Sequence, residues 1–280
     1  MRILLLGHKG MLGSDLLLKF NSHHEVIGLD KDEIDIVSAD ECVKAIKEIT
    51  PDIVINTAAY TNVDGCETAK EECFAVNAEA VKNIAQACRN KNIRIIHFST
   101  DYVFDGTAKQ PYKEDDKCNP INAYGESKLA GERYLQSLAA DYVLIRTSWL
   151  YGMKGENFVQ TILEKAKTTP TLTVVDDQVG SPTYTKDLAT AVDLLISQNH
   201  KGIFHVTNRG SCSWYQFAVK ILQESGLDNI EVIPIKCDKL PRPAMRPTYS
   251  VLSMQKFIAT TGKTMQPWQL ALQDYLKSIK

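Results

Sequence analysis

No run of about 18 apolar residues occurs in this 280-residue sequence, so no segment reads as a membrane-spanning helix. The apolar stretch after Met1-Arg2 stops at Gly7-His8-Lys9, too short for the hydrophobic region of a secretory leader. No C-x-x-C occurs among the seven cysteines, at positions 42, 66, 73, 88, 118, 212 and 237. Their odd number and irregular spacing argue against a disulfide framework and a structural zinc site, and point to reduced thiols in a cytoplasmic protein. No charge of one sign dominates: Lys plus Arg number 32 and Asp plus Glu 34. The net charge of −2 leaves no basic field to hold a polyanion, so no nucleic-acid partner is expected. Low-complexity tracts and internal repeats are also missing. The adjacent His23-His24 reads as a polar loop rather than a metal site, and no metal is expected.

What is present is alternation. Short apolar runs at 2–6, 25–29, 53–56, 93–98 and 142–146 read as buried strands. Helical patterns fall between them at 11–20, 39–49, 69–89 and 127–138. That rhythm predicts an α/β fold: a Rossmann-type doubly wound parallel sheet with helices on both faces. The rhythm loosens after Tyr151. Helices are suggested at 157–167, 186–197, 213–225 and 266–277, and strands at 172–175, 203–206 and 231–234. The expected organisation is a dinucleotide-binding domain over 1–150 and a smaller α/β substrate lobe mainly over 151–280, with segments interleaving. The stretch 239–248, with its prolines and arginines, reads as a surface loop. Helices 69–89 and 127–138 could pair across a homodimer axis or pack on the sheet.

The first strand runs into Gly7-His8-Lys9-Gly10-Met11-Leu12-Gly13 and a helix follows. Free N–H groups and the dipole at such a helix start receive a phosphate, and glycine allows the tight turn and close backbone approach. In this position the turn predicts binding of a dinucleotide. Asp30, ending the second strand, can accept from the adenosine ribose hydroxyls and would repel a 2′-phosphate; Lys31 beside it pulls the other way. NADH and NADPH are both open. Asp35-Ile36 can frame the adenine, although a helix cap or a solvated charge explains Asp35 equally well.

Tyr124-Gly125-Glu126-Ser127-Lys128 is the only Tyr-x-x-x-Lys in the chain. At i and i+4 the phenol and ammonium share a helix face, and the ammonium is expected to lower the phenol's pKa towards the working range. Such a tyrosine can protonate a carbonyl oxygen as hydride arrives at carbon. The preceding strand ends at Thr100 and Asp101, at the carboxyl edge where open α/β sheets bind ligands. The Thr100 hydroxyl can steady the reacting oxygen. Glycine turn, strand-end hydroxyl, Tyr and Lys in this order predict a reductase.

The G-x-x-G-x-x-G spacing resembles the extended branch of the short-chain dehydrogenase/reductase superfamily. Longer stretches resemble one family within it, the dTDP-4-dehydrorhamnose reductases. They are Ile55-Asn56-Thr57-Ala58-Ala59-Tyr60-Thr61-Asn62-Val63-Asp64, Ser99-Thr100-Asp101-Tyr102-Val103-Phe104 and Arg146-Thr147-Ser148-Trp149-Leu150-Tyr151-Gly152. The resemblance runs through nearly the whole chain. It implies reduction of a 4-keto nucleotide sugar, with NADPH or NADH held by Gly7, Gly10, Met11, Leu12, Gly13, Asp30, Asp35, Ile36, Ala58, Ala59, Tyr60, Thr61, Tyr124 and Lys128. It implies a sugar site of Val63, Thr100, Asp101, Tyr102, Trp149 and Tyr124. Met11 stands where the family often has Gln, which a backbone contact tolerates. Gln269 stands where an acid is common, and this argues against the magnesium associated with some members. A diphosphate substrate also calls for cations in the second lobe; Arg242 and Arg246 can supply them, or can be ordinary loop charges.

Two other readings compete. Dehydratases of this fold carry Glu after the Asp that follows the catalytic Thr, and here Tyr102 stands there, which disfavours water elimination. A sugar epimerase would turn over without net consumption of reduced cofactor. A non-catalytic regulatory subunit, like that of methionine adenosyltransferase, resembles the same family, and fold alone does not exclude it.

Overall fold

The computed structural model describes residues 1–89, 91 and 93–279. Six strands form the central sheet: β1 (Arg2–Leu6), β2 (Glu25–Leu29), β3 (Ile53–Asn56), β4 (Arg94–Thr100), β5 (Tyr142–Thr147) and, from the second half of the chain, β6 (Gly202–His205). Their order is β6-β5-β4-β3-β1-β2 and every pairing is parallel. The doubly wound expectation holds. Strand order reverses between β1 and β3, so the ligand crevice opens beyond their carboxyl ends. The register Leu6↔Asn56, Asn56↔His97 and Thr100↔Thr147 lines up the residues after each strand along that edge.

Both faces of the sheet are covered, which is why its strands read as continuous apolar runs. Ile3, Leu5, Ile55, Ile96 and Phe98 face α1 (Met11–Phe20) and α8 (Thr185–Ser197). The alternate residues Leu4, Leu6, Val54, Ile95 and Leu144 face α2 (Ala39–Ile49) and the helices that follow β3.

Those helices depart from expectation. In place of one helix over 69–89 the chain makes α3 (Val63–Thr68), α4 (Lys70–Phe74), a π-helical turn (Ala75–Glu79) and α5 (Ala80–Cys88). The helix expected over 127–138 is α6 (Ala123–Leu138). It begins earlier because the Asn122 side chain accepts the Gly125 N–H and caps it. Helices α5 and α6 pack against each other on one face of the sheet.

Beyond Tyr151 a second core gathers Tyr151, Val159, Ile162, Phe217, Ile221 and Tyr275. It joins α7 (Phe158–Thr168), α9 (Trp214–Glu224), α11 (Trp268–Ser278) and a parallel strand pair, Thr171–Val175 with Glu231–Ile235. Helix α10 (Gln255–Thr261) packs back on β6. All seven cysteines are free. Among the described residues no helix is long and apolar enough to cross a membrane.

Candidate active site

The glycine turn is built so tightly that side chains are excluded. Gly7 lies at φ +80, and a Cβ there would come within 2.8 Å of Thr57 Oγ1 and 2.9 Å of Ala58 N. A Cβ on Gly13 would fall 2.1 Å from Gly7 O, so α1 presses directly on the turn. Gly10 is the N-cap and offers no side chain to the first-turn N–H groups at Met11, Leu12 and Gly13. A tight cradle ending in an uncapped helix start fits a dinucleotide diphosphate. Asp30 braces the cradle: its carboxylate accepts Lys9 N at 3.0 Å and Lys31 N at 2.9 Å. Asp35 is exposed and turns its Oδ1 onto Val37 N at 2.9 Å, ahead of α2, while Ile36 is buried beside it.

The segment 58–61 leaves β3 towards the same edge. Asn77, in the π-helical turn, clamps it: Asn77 Oδ1 accepts Tyr60 N at 2.9 Å and Asn77 Nδ2 donates to Tyr60 O at 3.0 Å. Asn77 Nδ2 also donates to Ser127 Oγ on α6 at 3.0 Å. A buried Asn in an Ala-rich helical stretch was the signal for this residue, and sequence reasoning missed it.

At the end of β4 the Thr100 hydroxyl donates to Asp101 Oδ1 at 3.1 Å and accepts Tyr102 N at 3.2 Å. The Tyr124 phenol faces the same hydroxyl, which pulls its pKa down against the larger effect of burial. The Tyr102 ring meets Tyr124 edge-on, centroids 5.9 Å apart. A Cβ on Gly125 would fall 2.2 Å from Tyr102 O, so the start of α6 seats closely on the turn after β4. Lys128 is buried and its Nζ donates to Phe98 O at 2.6 Å. Burial lowers the Lys128 ammonium to about 8. It remains charged at neutral pH.

One expectation needs correcting. Lys128 was expected to depress the Tyr124 pKa, but burial pushes the phenol well above its ordinary 10. The phenol therefore keeps its proton, which is the form a carbonyl reduction requires. Asp101 is also unusual. It is 2% exposed, its Oδ2 has no hydrogen-bond partner among the described residues, and burial raises its carboxyl to about 7.

A model of the RmlD substrate binding domain matches residues 1–280. The spore coat polysaccharide biosynthesis protein SpsK of Bacillus subtilis is 41% identical, over 99% of this chain and 97% of its own. The crystal structure of a dTDP-4-dehydrorhamnose reductase from Clostridium acetobutylicum superposes with a TM-score of 0.97 at 42% identity, covering 100% of this chain and 99% of that one. The Bacillus anthracis dTDP-4-dehydrorhamnose reductase, solved in complex with NADP, gives 0.96 at 35%, covering 99% of each chain. This chain belongs to the dTDP-4-dehydrorhamnose reductase family.

The residues that the family resemblance assigns to sugar have separate fates. Trp149 is held in the left-handed region at φ +49, which is strained for a bulky residue. Trp214 stacks on it at 3.4 Å between centroids, and a Cβ on Gly180 would collide with its indole at 2.5 Å. The indole is thus pinned from two sides while partly exposed. Val63 opens α3, half-buried. Arg242 is exposed. Of the two readings left open for Arg246, the geometry favours a structural one: its guanidinium grips the Asp64 carboxylate at 2.6 and 2.7 Å and donates to Ala244 O at 2.7 Å. Asp64 takes up the donors that a diphosphate would use. The loop 239–248 is also tied down at Asn122, whose Nδ2 donates to Met245 O at 2.7 Å. The N-cap of the Tyr124 helix therefore also holds this loop.

Proposed function

We propose that this chain catalyses the NADPH- or NADH-dependent reduction of the 4-keto group of dTDP-4-dehydro-6-deoxy-L-mannose to dTDP-L-rhamnose. What supports the reading is that Thr100, a proton-bearing Tyr124 and a buried Lys128 tied to Phe98 O all belong to the end of β4 and the start of α6, on the sheet edge that also holds the glycine turn. When bound, the reduced nicotinamide supplies the hydride. Gly7, Gly10 and the N–H groups of Met11, Leu12 and Gly13 would hold the diphosphate. Asp30, Asp35 and Ile36 would receive the adenosine, and Ala58 to Thr61, leaving β3 towards the same edge, would flank the rest of the cofactor.

The Thr100 hydroxyl, which donates to Asp101 Oδ1 in the free site, turns its proton to the substrate oxygen at C4. Tyr124 delivers its proton to that oxygen as negative charge develops there. Lys128, held on Phe98 O one turn further along α6, would hold the ribose of the nicotinamide and offset the charge left when the proton goes. Asp101, Tyr102, Val63 and Trp149 shape the sugar site, with the fixed indole covering one face. Arg242 supplies the accessible cation for the substrate diphosphate, and Arg246 fixes the loop that presents it. The reaction is cytoplasmic, in keeping with the free cysteines.

The test follows absorbance of the reduced nicotinamide with dTDP-4-dehydro-L-rhamnose present and absent, with NADH and NADPH in turn. Consumption that depends on the sugar is expected with at least one. Tyr124→Phe should bind cofactor as the parent does and lose about 10²- to 10⁴-fold in kcat. Turnover near the parent's in that variant would overturn the proton-donor role. Failure of the folded parent with both cofactors would favour the regulatory reading.

A further inference from the structure

A cluster at the far end of α1 takes no part in this chemistry. After Phe20 the chain turns sharply, with His23 N and His24 N both donating to Phe20 O at 3.1 and 2.9 Å. This sets two adjacent imidazoles beside Asp193 of α8. One ligand atom from each of His23, His24 and Asp193 lies within 4.8 Å of the other two. His23 Nε2 stands 3.9 Å from Asp193 Oδ1, while Lys19 Nζ holds the other oxygen at 3.2 Å. His23 Nδ1 lies 2.6 Å from Ser22 Oγ, which orients the ring from behind and leaves Nε2 free. His24 keeps a buried Nδ1 with no hydrogen-bond partner among the described residues.

We propose that His23, His24 and Asp193 bind a single divalent transition-metal ion of the zinc, nickel or cobalt type, clipping the end of α1 to α8. Two imidazoles and one carboxylate suit these ions, whereas magnesium and calcium take all-oxygen sets. Bond lengths of about 2.0–2.2 Å place tetrahedral ligand atoms roughly 3.3–3.6 Å apart, so the widest pair within the 4.8 Å spread must close by up to about 1.5 Å. His23 and Asp193 are 45% and 22% exposed and have room to rotate. Coordination through Oδ1 leaves the Lys19 pair on Oδ2 intact.

Helix α1 separates this cluster from the glycine turn by about 15 Å, so the ion stabilises and takes no part in turnover. The experiment titrates Zn²⁺ into metal-stripped full-length protein by calorimetry and thermal melting. One equivalent per chain is expected, with Tm rising roughly 5 °C at hundredfold excess over Kd, and no rise with Mg²⁺. Asp193→Asn and His23→Gln should each lower zinc affinity at least tenfold and leave reductase turnover unchanged. Zinc binding equal to the parent's in both variants would overturn the site. So would a thiolate charge-transfer band in the Co²⁺ complex, which would place the ion on cysteine.

Discussion

Asp101 is a carboxyl group whose ionisation the fold delays to near-neutral pH. Its folded pKa of about 7 lies above the 3.8 of an ordinary Asp, with burial as the main cause. A group raised in this way contributes stability fully below its unfolded pKa, and that stability is lost as pH rises through the folded value. The loss amounts to about 1.4 kcal/mol per pH unit across that window. Asp101→Asn removes the charge and keeps the shape. It should melt like the parent at pH 4 and exceed it by roughly 2–4 kcal/mol at pH 8 in urea unfolding. A difference independent of pH would show that the carboxyl ionises normally. The position of Asp101 at the sheet edge was legible from the strand pattern and the Ser-Thr-Asp-Tyr stretch. Its protonation was not, nor was that of Tyr124, because burial is assembled from segments far apart in the chain. The Tyr-x-x-x-Lys spacing predicted a depressed phenol for the same reason: it counts the neighbouring ammonium and not the protein around it.

At the scale of elements, the π-helical turn and α6 form one machine for holding the site. Their contact is a backbone approach: a Cβ on Gly131 would lie 2.2 Å from Asn77 O. Gly131→Ala must therefore push the turn away from α6, at a cost of about 1–3 kcal/mol. The displacement loosens the Asn77 clamp on Tyr60, so KM for the reduced nucleotide should rise severalfold while KM for the sugar nucleotide changes less. Unaltered cofactor KM would mean that the clamp does not set the cofactor edge. Helical periodicity could not reveal this arrangement, because Ala-rich sequence accommodates a widened turn without breaking its apolar stripe. The early start of α6 was partly legible. Asn122 is a good N-cap, but Gly125 three residues on looks like the continuation of a turn.

Over the whole molecule, the strands that are buried on both faces and bounded by Gly, Asp or Pro match the sequence reading almost residue for residue. The membership of β6 in the central sheet could not be read, since its four residues suit either lobe. Nor could the Asp64–Arg246 pair, whose partners are 182 residues apart. That pair joins α3, next to the cofactor edge, to the loop 239–248 from the second half of the chain. Its side chains are 35% and 9% exposed, so a double-mutant cycle of Asp64→Asn and Arg246→Met should return a coupling energy of roughly 1–3 kcal/mol. Arg246 holds the Asp64 pKa down, so the stabilisation is present above the ordinary Asp pKa and fades as pH falls. Asn122 still anchors the loop at Met245 in these variants, so the fold persists and the loop becomes less constrained. KM for the sugar nucleotide should then rise about tenfold with kcat little changed, the signature of lost uniform binding. A large fall in kcat with KM unchanged would instead put Arg246 in contact with the transition state, and the loop would be part of the catalytic centre rather than its support.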